Sequence, residues 1–173
     1  MKKPFFSIVI VNYNAGMMLS NVMSALSQQT SRDFEVIVID NNSDDSSWHA
    51  AESTTFPCQL VKLDHNIGFA AANNLVVKKY VQGDWLFLLN PDAYPEPECL
   101  ETAAENITQI PNVDCFACTL VDANHPTQLD GIGDIYHVSG LHWRHGHGSD
   151  LSIAPTQPKK IFSACAAAAI YRT

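Results

Sequence analysis

Apolar, β-branched runs alternate along this chain with short polar strings. Ile8-Val9-Ile10-Val11 is followed by Asn12-Tyr13-Asn14, and Val36-Ile37-Val38-Ile39 by Asp40-Asn41-Asn42-Ser43. A weaker run at residues 60–63 leads into Asn66-Ile67-Gly68, and residues 85–89 lead into Asn90-Pro91-Asp92. Such runs predict strands buried on both faces. Between them the period turns helical. Leu19, Val22, Met23 and Leu26 form an i, i+3, i+4, i+7 stripe, and Phe69, Ala72, Val76 and Tyr80 predict a helix beginning near Gly68. N-cap candidates in residues 41–47 predict a short helix through Trp48 and Ala51. Pro95, Glu96 and Pro97 prepare a further helix that carries Leu100, Ala104 and Ile107. The repeated β-α order predicts an α/β fold: an open, mostly parallel sheet with right-handed crossovers and helices on both faces. Ligands of such sheets bind beyond the carboxyl ends of the strands, where all four polar strings fall.

The pattern changes after about residue 111. Residues 113–121 predict one more strand, with Cys115 and Cys118 as core thiols and not a metal or redox pair. Residues 122–150 hold five of the seven histidines and read as a long, irregular, mobile segment. His137, His142, His145 and His147 lack the helical His-x-x-x-His spacing or nearby cysteine of a zinc site. Gly131-x-Gly133 lacks the third glycine of a dinucleotide fingerprint. Residues 161–162 and 166–171 predict two more buried elements.

With 173 residues, 46% hydrophobic and 16% charged, the chain has the makings of one globular domain. Ten Lys and Arg against 18 Asp and Glu give a formal charge of -8. That charge repels phosphate backbones and argues against a nucleic-acid partner. It also makes a bound nucleoside diphosphate hard to hold without a cation beside it. The basic, then apolar opening reads as a first strand and not a secretory signal, because Asn12, Tyr13 and Asn14 interrupt it. No apolar stretch is long enough to span a bilayer. Five irregularly spaced cysteines fit free thiols in a reducing cytosol.

Each polar string admits a chemical and a plain reading. Asp40 can accept a hydrogen bond from a nucleobase N–H, or it can close an Asx-turn. Tyr13 can pack on a base or cover the sheet edge, while Asn12 and Asn14 can contact ligand or form a turn. Asn66 and Gly68 would form a loop close to a nucleotide, the glycine permitting near approach of the backbone. Asn73 and Asn74 sit a turn into a helix, where asparagine is a poor helix former, so a contact or local cap is expected of one of them. Asp92 follows Asn90-Pro91 on a stiffened turn. Magnesium and manganese commonly take one or two protein carboxylates, with phosphates and water completing the shell.

Together these strings resemble the family 2 glycosyltransferases of GT-A fold, and most of all the bacterial branch that includes rhamnosyltransferases. Residues 7–14 look like the family's opening strand and Val38-Ile39-Asp40-Asn41-Asn42-Ser43-Asp44-Asp45 like its second motif. Asn66-Ile67-Gly68-Phe69-Ala70 with Asn73-Asn74 is similar to the third, and Leu88-Leu89-Asn90-Pro91-Asp92 to the metal motif. Asp130-Gly131-Ile132-Gly133-Asp134 and residues 166–172 continue the likeness. The family's motif is often Asp-x-Asp; here Asn90 holds the first place. The resemblance implies inverting transfer of a sugar from a UDP- or dTDP-sugar to a glycan acceptor, in surface polysaccharide or cell-wall synthesis. It implies donor binding by Asn12, Tyr13, Asn14, Asp40, Asn42, Asn66, Gly68, Asn74 and Asp92, with Asp92 also holding Mg2+ or Mn2+. Residues 1–111 would form the donor-binding half and residues 112–173 the start of an acceptor-side half. The general base is expected beyond Thr173, so the isolated chain is expected to be a fragment with little or no turnover. The expected location is the cytoplasm, with peripheral membrane association through further regions left open. Two alternatives remain: a non-catalytic nucleotide-sugar-binding protein, and a nucleotide-sugar pyrophosphorylase, which calls for a glycine-rich basic loop after the first strand.

Overall fold

Every residue of β1 (Phe6–Asn12) is buried, because this strand lies inside a sheet covered on both faces. The computed structural model describes residues 3–173. After β1 come α1 (Met17–Ser27), β2 (Phe34–Asp40), a single 3-10 turn (Ser47–Ala51), β3 (Cys58–Lys62), α2 (Phe69–Lys79), β4 (Trp85–Leu89) and α3 (Cys99–Gln109). The remainder is built of short strands: β5 (Cys115–Ala117), β6 (Leu120–Val121), β7 (Leu129–Gly131), β8 (Asp134–Tyr136), β9 (His142–Arg144) and β10 (Ala168–Arg172). Six of the strands form the main sheet in the order β3-β2-β1-β4-β10-β5. The first four are mutually parallel, and β10 runs antiparallel between β4 and β5. This is the α/β architecture that the sequence pattern predicts.

Alternation along β1 divides the core in two. Phe6, Ile8 and Ile10 pack with Leu19, Val22 and Leu26 of α1 and with Leu100 and Ile107 of α3. Val9 and Val11 face the opposite way, against Ile37 and Ile39 of β2 and Ala72 and Val76 of α2. Complete burial of a Leu or Val side chain contributes roughly 1.5–3 kcal/mol, so these two layers dominate the stability of the domain. All four residues of the α1 stripe are buried.

Four expectations change. Residues 113–121 do not form one strand: β5 lies on the main sheet, Cys118 N still donates to Ala168 O, and then the chain turns away so that β6 pairs with β7. The register shift at Leu120 and Val121 marks the departure. Cys115 consequently stands exposed on the sheet's outer strand, whereas Cys118 packs against the core. Residues 122–150 are more ordered than their composition predicts, since β8 and β9 close a hairpin and β7 pairs with β6. Phe162 is not buried. It is 68% exposed, because residues 161–162 belong to no strand, and an isolated bridge between Asp134 and Ser163 holds that stretch in place.

Candidate functional site

Parallel pairing sets Asn12 of β1 directly beside Asp40 of β2, the last residue of each strand. Asn12 is fully buried, and its Nδ2 lies 2.7 Å from Asp40 Oδ1, 2.8 Å from Ser47 Oγ and 3.1 Å from Ser43 Oγ. Asp40 Oδ2 accepts from Ser43 N at 3.2 Å, which is the turn-closing geometry, and the residue is 2% exposed. Both carboxylate oxygens are therefore engaged inside the protein. Asn12 Oδ1 is buried and accepts no hydrogen bond among the described residues, a local cost of about 1–3 kcal/mol.

The loop after β1 is stitched to the loop after β2. Asn14 N donates to Ser43 Oγ at 3.0 Å, Asp44 N to Asn14 Oδ1 at 2.8 Å, and Gly16 N to Asp45 Oδ2 at 2.8 Å. Asn14 and Asn42 take left-handed backbone, φ 50° and 65°, which asparagine tolerates better than most residues. Bonds from the Ser47 hydroxyl, then the Ser47 and Gly16 amides, hold the Asp45 carboxyl below its ordinary 3.8. Tyr13 projects half-exposed beside this double loop.

Asn41 is distinguished in the sequence pattern only as one of several cap candidates. Its Nδ2 donates to Asn66 Oδ1 at 2.9 Å and its Oδ1 accepts from Ile67 N at 2.9 Å. Asn66 Oδ1 also accepts from Gly68 N at 2.8 Å. One amide thus draws the Asn66-Gly68 loop against the end of β2. Gly68, at φ 85° and ψ 157°, heads α2 without a side-chain cap, a conformation open only to glycine. The first-turn N–H groups of α2 therefore remain available at this edge. Asn73 is buried and donates back to Phe69 O at 3.0 Å, whereas Asn74 is exposed.

Asp92 stands on the other side of β1, in the turn after β4. Asn90 N donates to Ala167 O at 2.9 Å and Ala93 N to Asn90 O at 3.1 Å, so the turn is anchored at both ends. Buried Gln29 secures the entry into α3: its Nε2 donates to Glu96 O at 2.8 Å and its Oε1 accepts from Leu100 N at 3.1 Å. Among the described residues the Asp92 carboxylate makes no hydrogen bond or ion pair, and it lines a cavity of 2120 Å³ between α3, β5 and β8. A lone exposed carboxylate is an oxygen donor that suits Mg2+ or Mn2+ when a diphosphate and water supply the remaining ligands. No group of three or more His, Cys, Asp or Glu side chains among the described residues forms a closed metal cage.

The sequence model of glycosyl transferase family 2 matches residues 7–173. This chain belongs to that family. An uncharacterized glycosyltransferase of Haemophilus influenzae is 33% identical over 108 residues, 62% of this chain and 36% of the relative. The match thus spans about a third of that relative's length. Among solved structures, S. aureus TarS 1-349 in complex with UDP-GlcNAc superposes with a TM-score of 0.62 at 23% identity, covering 66% of this chain and 34% of the TarS 1-349 chain. The mannosyltransferase PcManGT from Pyrobaculum calidifontis, in complex with GDP-Man and Mn2+, gives 0.59 at 23% identity, covering 69% of this chain and 36% of PcManGT. At these identities the two structures establish the shared fold. No helix among the described residues is long and apolar enough to cross a membrane.

Proposed function

We propose that this chain carries the donor-binding part of an inverting, metal-dependent glycosyltransferase that moves a sugar from a nucleoside diphosphate to an acceptor hydroxyl. The observation that carries the reading is that four parallel strands end at one sheet edge, with a carboxylate at Asp92 unpaired among the described residues and an uncapped helix at Gly68, although the loops after β1, β2 and β3 do not line the Asp92 cavity. In this proposal exposed Tyr13, Asn14 and Asn42 line the base pocket, and buried Asn12 and Asp40 shape it from beneath. Asn66, Gly68 and Asn74 border the ribose and diphosphate. Asp92 takes the divalent ion, which when bound stabilises negative charge growing on the departing phosphate. Fixing the base against the stitched loops would place the anomeric carbon for attack from the opposite face. Residues 1–111 then serve the donor side and residues 112–173 the acceptor side.

UDP- or dTDP-sugars are the preferred donors, rhamnosyl donors included, with a glycan acceptor in surface polysaccharide or cell-wall synthesis on the cytoplasmic side. The UDP-GlcNAc bound by TarS and the GDP-Man and Mn2+ bound by PcManGT support a nucleotide-sugar donor and a divalent ion. Calorimetric titration of UDP, dTDP and GDP, each with and without Mn2+, tests the reading. Manganese is expected to tighten pyrimidine-diphosphate binding at least ~tenfold, a difference of about 1.4 kcal/mol, and Asp92→Asn to abolish that gain. Binding that ignores both metal and substitution overturns it.

A further inference from the structure

Tyr136 on β8 and Phe162 lie ring against ring, with centroids 5.5 Å apart and planes 14° from parallel. Both are more than half exposed, 53% and 68%, so each keeps an uncovered outer face. The pair is built and not incidental. Asp134 N donates to Ser163 O at 3.0 Å and Ser163 Oγ to Asp134 Oδ2 at 3.3 Å, tying together the two segments that carry the rings. Residues 134–136 are paired edge to edge with β9, and Arg144, opposite Asp134, is ion-paired with Asp130. Both rings line the same cavity as Asp92.

We propose that the Tyr136–Phe162 pair is a stacking platform for a pyranose ring of a neutral glycan acceptor. The inference rests on the glycosyltransferase reading for the existence of a second substrate. Its own content is the acceptor's chemistry. One face of many pyranoses presents only C–H groups, and those carry the partial positive charge that the face of an aromatic ring attracts. Hydroxyls around the ring's edge require polar partners, and Asp130, Asp134 and Arg144 line the same cavity with hydrogen-bonding capacity beyond their Arg144–Asp130 and Ser163–Asp134 contacts. Over the cavity as a whole acidic side chains outnumber Arg144, Lys159 and Lys160, which disfavours a polyphosphate or other polyanionic acceptor even though the two lysines lie close to Phe162 in the chain. A neutral sugar suits both the ring pair and the charge.

Saturation-transfer NMR on the chain tests this with a panel of methyl glycosides of glucose, galactose, N-acetylglucosamine and rhamnose, and with glycerol phosphate as the anionic probe. At least one neutral glycoside is expected to receive saturation on the C–H groups of one ring face. Phe162→Leu and Tyr136→Leu, which keep apolar bulk, are expected to reduce that signal at least fivefold, and Phe162→Trp to restore it. Each variant is checked for an unchanged melting temperature and unchanged UDP affinity. No transfer to any neutral glycoside, transfer untouched by the leucine variants, or preference for glycerol phosphate overturns the platform. Absence of UDP binding in the unaltered chain would instead strike the donor reading, so the two failures are told apart.

Discussion

An asparagine amide presents a donor and an acceptor on one planar group, so Asn41 can grip two parts of a single loop. Aspartate in its place would keep the bond from Ile67 N but set a carboxylate against Asn66 Oδ1. Asn41→Ala would leave Ile67 N without its partner, and it is expected to lower the urea unfolding free energy by about 1–3 kcal/mol. Hydrogen exchange should report faster loss of protection at Ile67 and Gly68, whereas Asn74→Ala, exposed on α2, should change little. Asp45 gives the loops after β1 and β2 a pH dependence. Its folded pKa lies below the unfolded value because the Ser47 and Gly16 bonds favour the charged form. The stabilisation is thus complete above the ordinary carboxylate range and disappears as pH falls through the lower, folded value. Denaturant midpoints measured from pH 6 down to pH 2 should fall less steeply for Asp45→Asn than for the unaltered chain.

The contact between β1 and β4 depends on an element too small to register in any hydrophobic pattern. Ser7, fully buried, accepts from Gly83 N at 2.7 Å and Gln82 N at 3.1 Å and donates to Glu35 Oε1. A Cβ on Gly83 would sit 2.5 Å from Ser7 N and 2.8 Å from Phe6 C, backbone atoms that cannot retreat while β1 stays paired. Gly83→Ala is therefore expected to cost about 1–3 kcal/mol by overpacking, read as a lower midpoint in thermal unfolding. Elements whose burial is periodic are legible from sequence: β1, β2 and α1 announce themselves because each position's environment follows from the next. The Asn12–Asp40 pairing is only half legible. Alternation marks each strand's end, but the bonds between ends require knowing that β1 and β2 lie in register. Gln29 and Gly83 carry no signal at all, since Glu96 and Leu100, which Gln29 secures, and Ser7, which Gly83 meets, lie 60 or more residues away in the chain. Beyond β4 most elements shrink to two or three residues, too short to show any period, and there the expected single strand at residues 113–121 and buried Phe162 both give way.

At the scale of the whole molecule, charge decides how an anionic ligand can be held. The chain carries a formal -8, and the loops at the strand ends repeat the imbalance locally, with Asp40, Asp44, Asp45, Asp64 and Asp92 against Lys62. Lys62 is itself occupied, its Nζ 3.1 Å from the centre of the Trp48 ring. Free N–H groups on α2 offer partial positive charge, of which a helix end provides only about half an elementary unit. A diphosphate approaching without metal therefore meets net repulsion, and salt should relieve it. A divalent ion seated on Asp92 leaves the edge acidic overall but puts a positive centre directly against the phosphates, so salt should then screen an attraction. Raising ionic strength from ~10 mM to ~150 mM shortens the screening length from about 30 Å to about 8 Å, enough to test both regimes. Metal-free UDP affinity is expected to hold steady or rise over that range, while affinity measured at saturating Mn2+ falls. Asp92→Asn with Mn2+ present should behave like the metal-free protein. Parallel salt dependences with and without manganese would mean that the ion never reaches the diphosphate, and that the neutralising charge must come from the protein's own backbone dipoles.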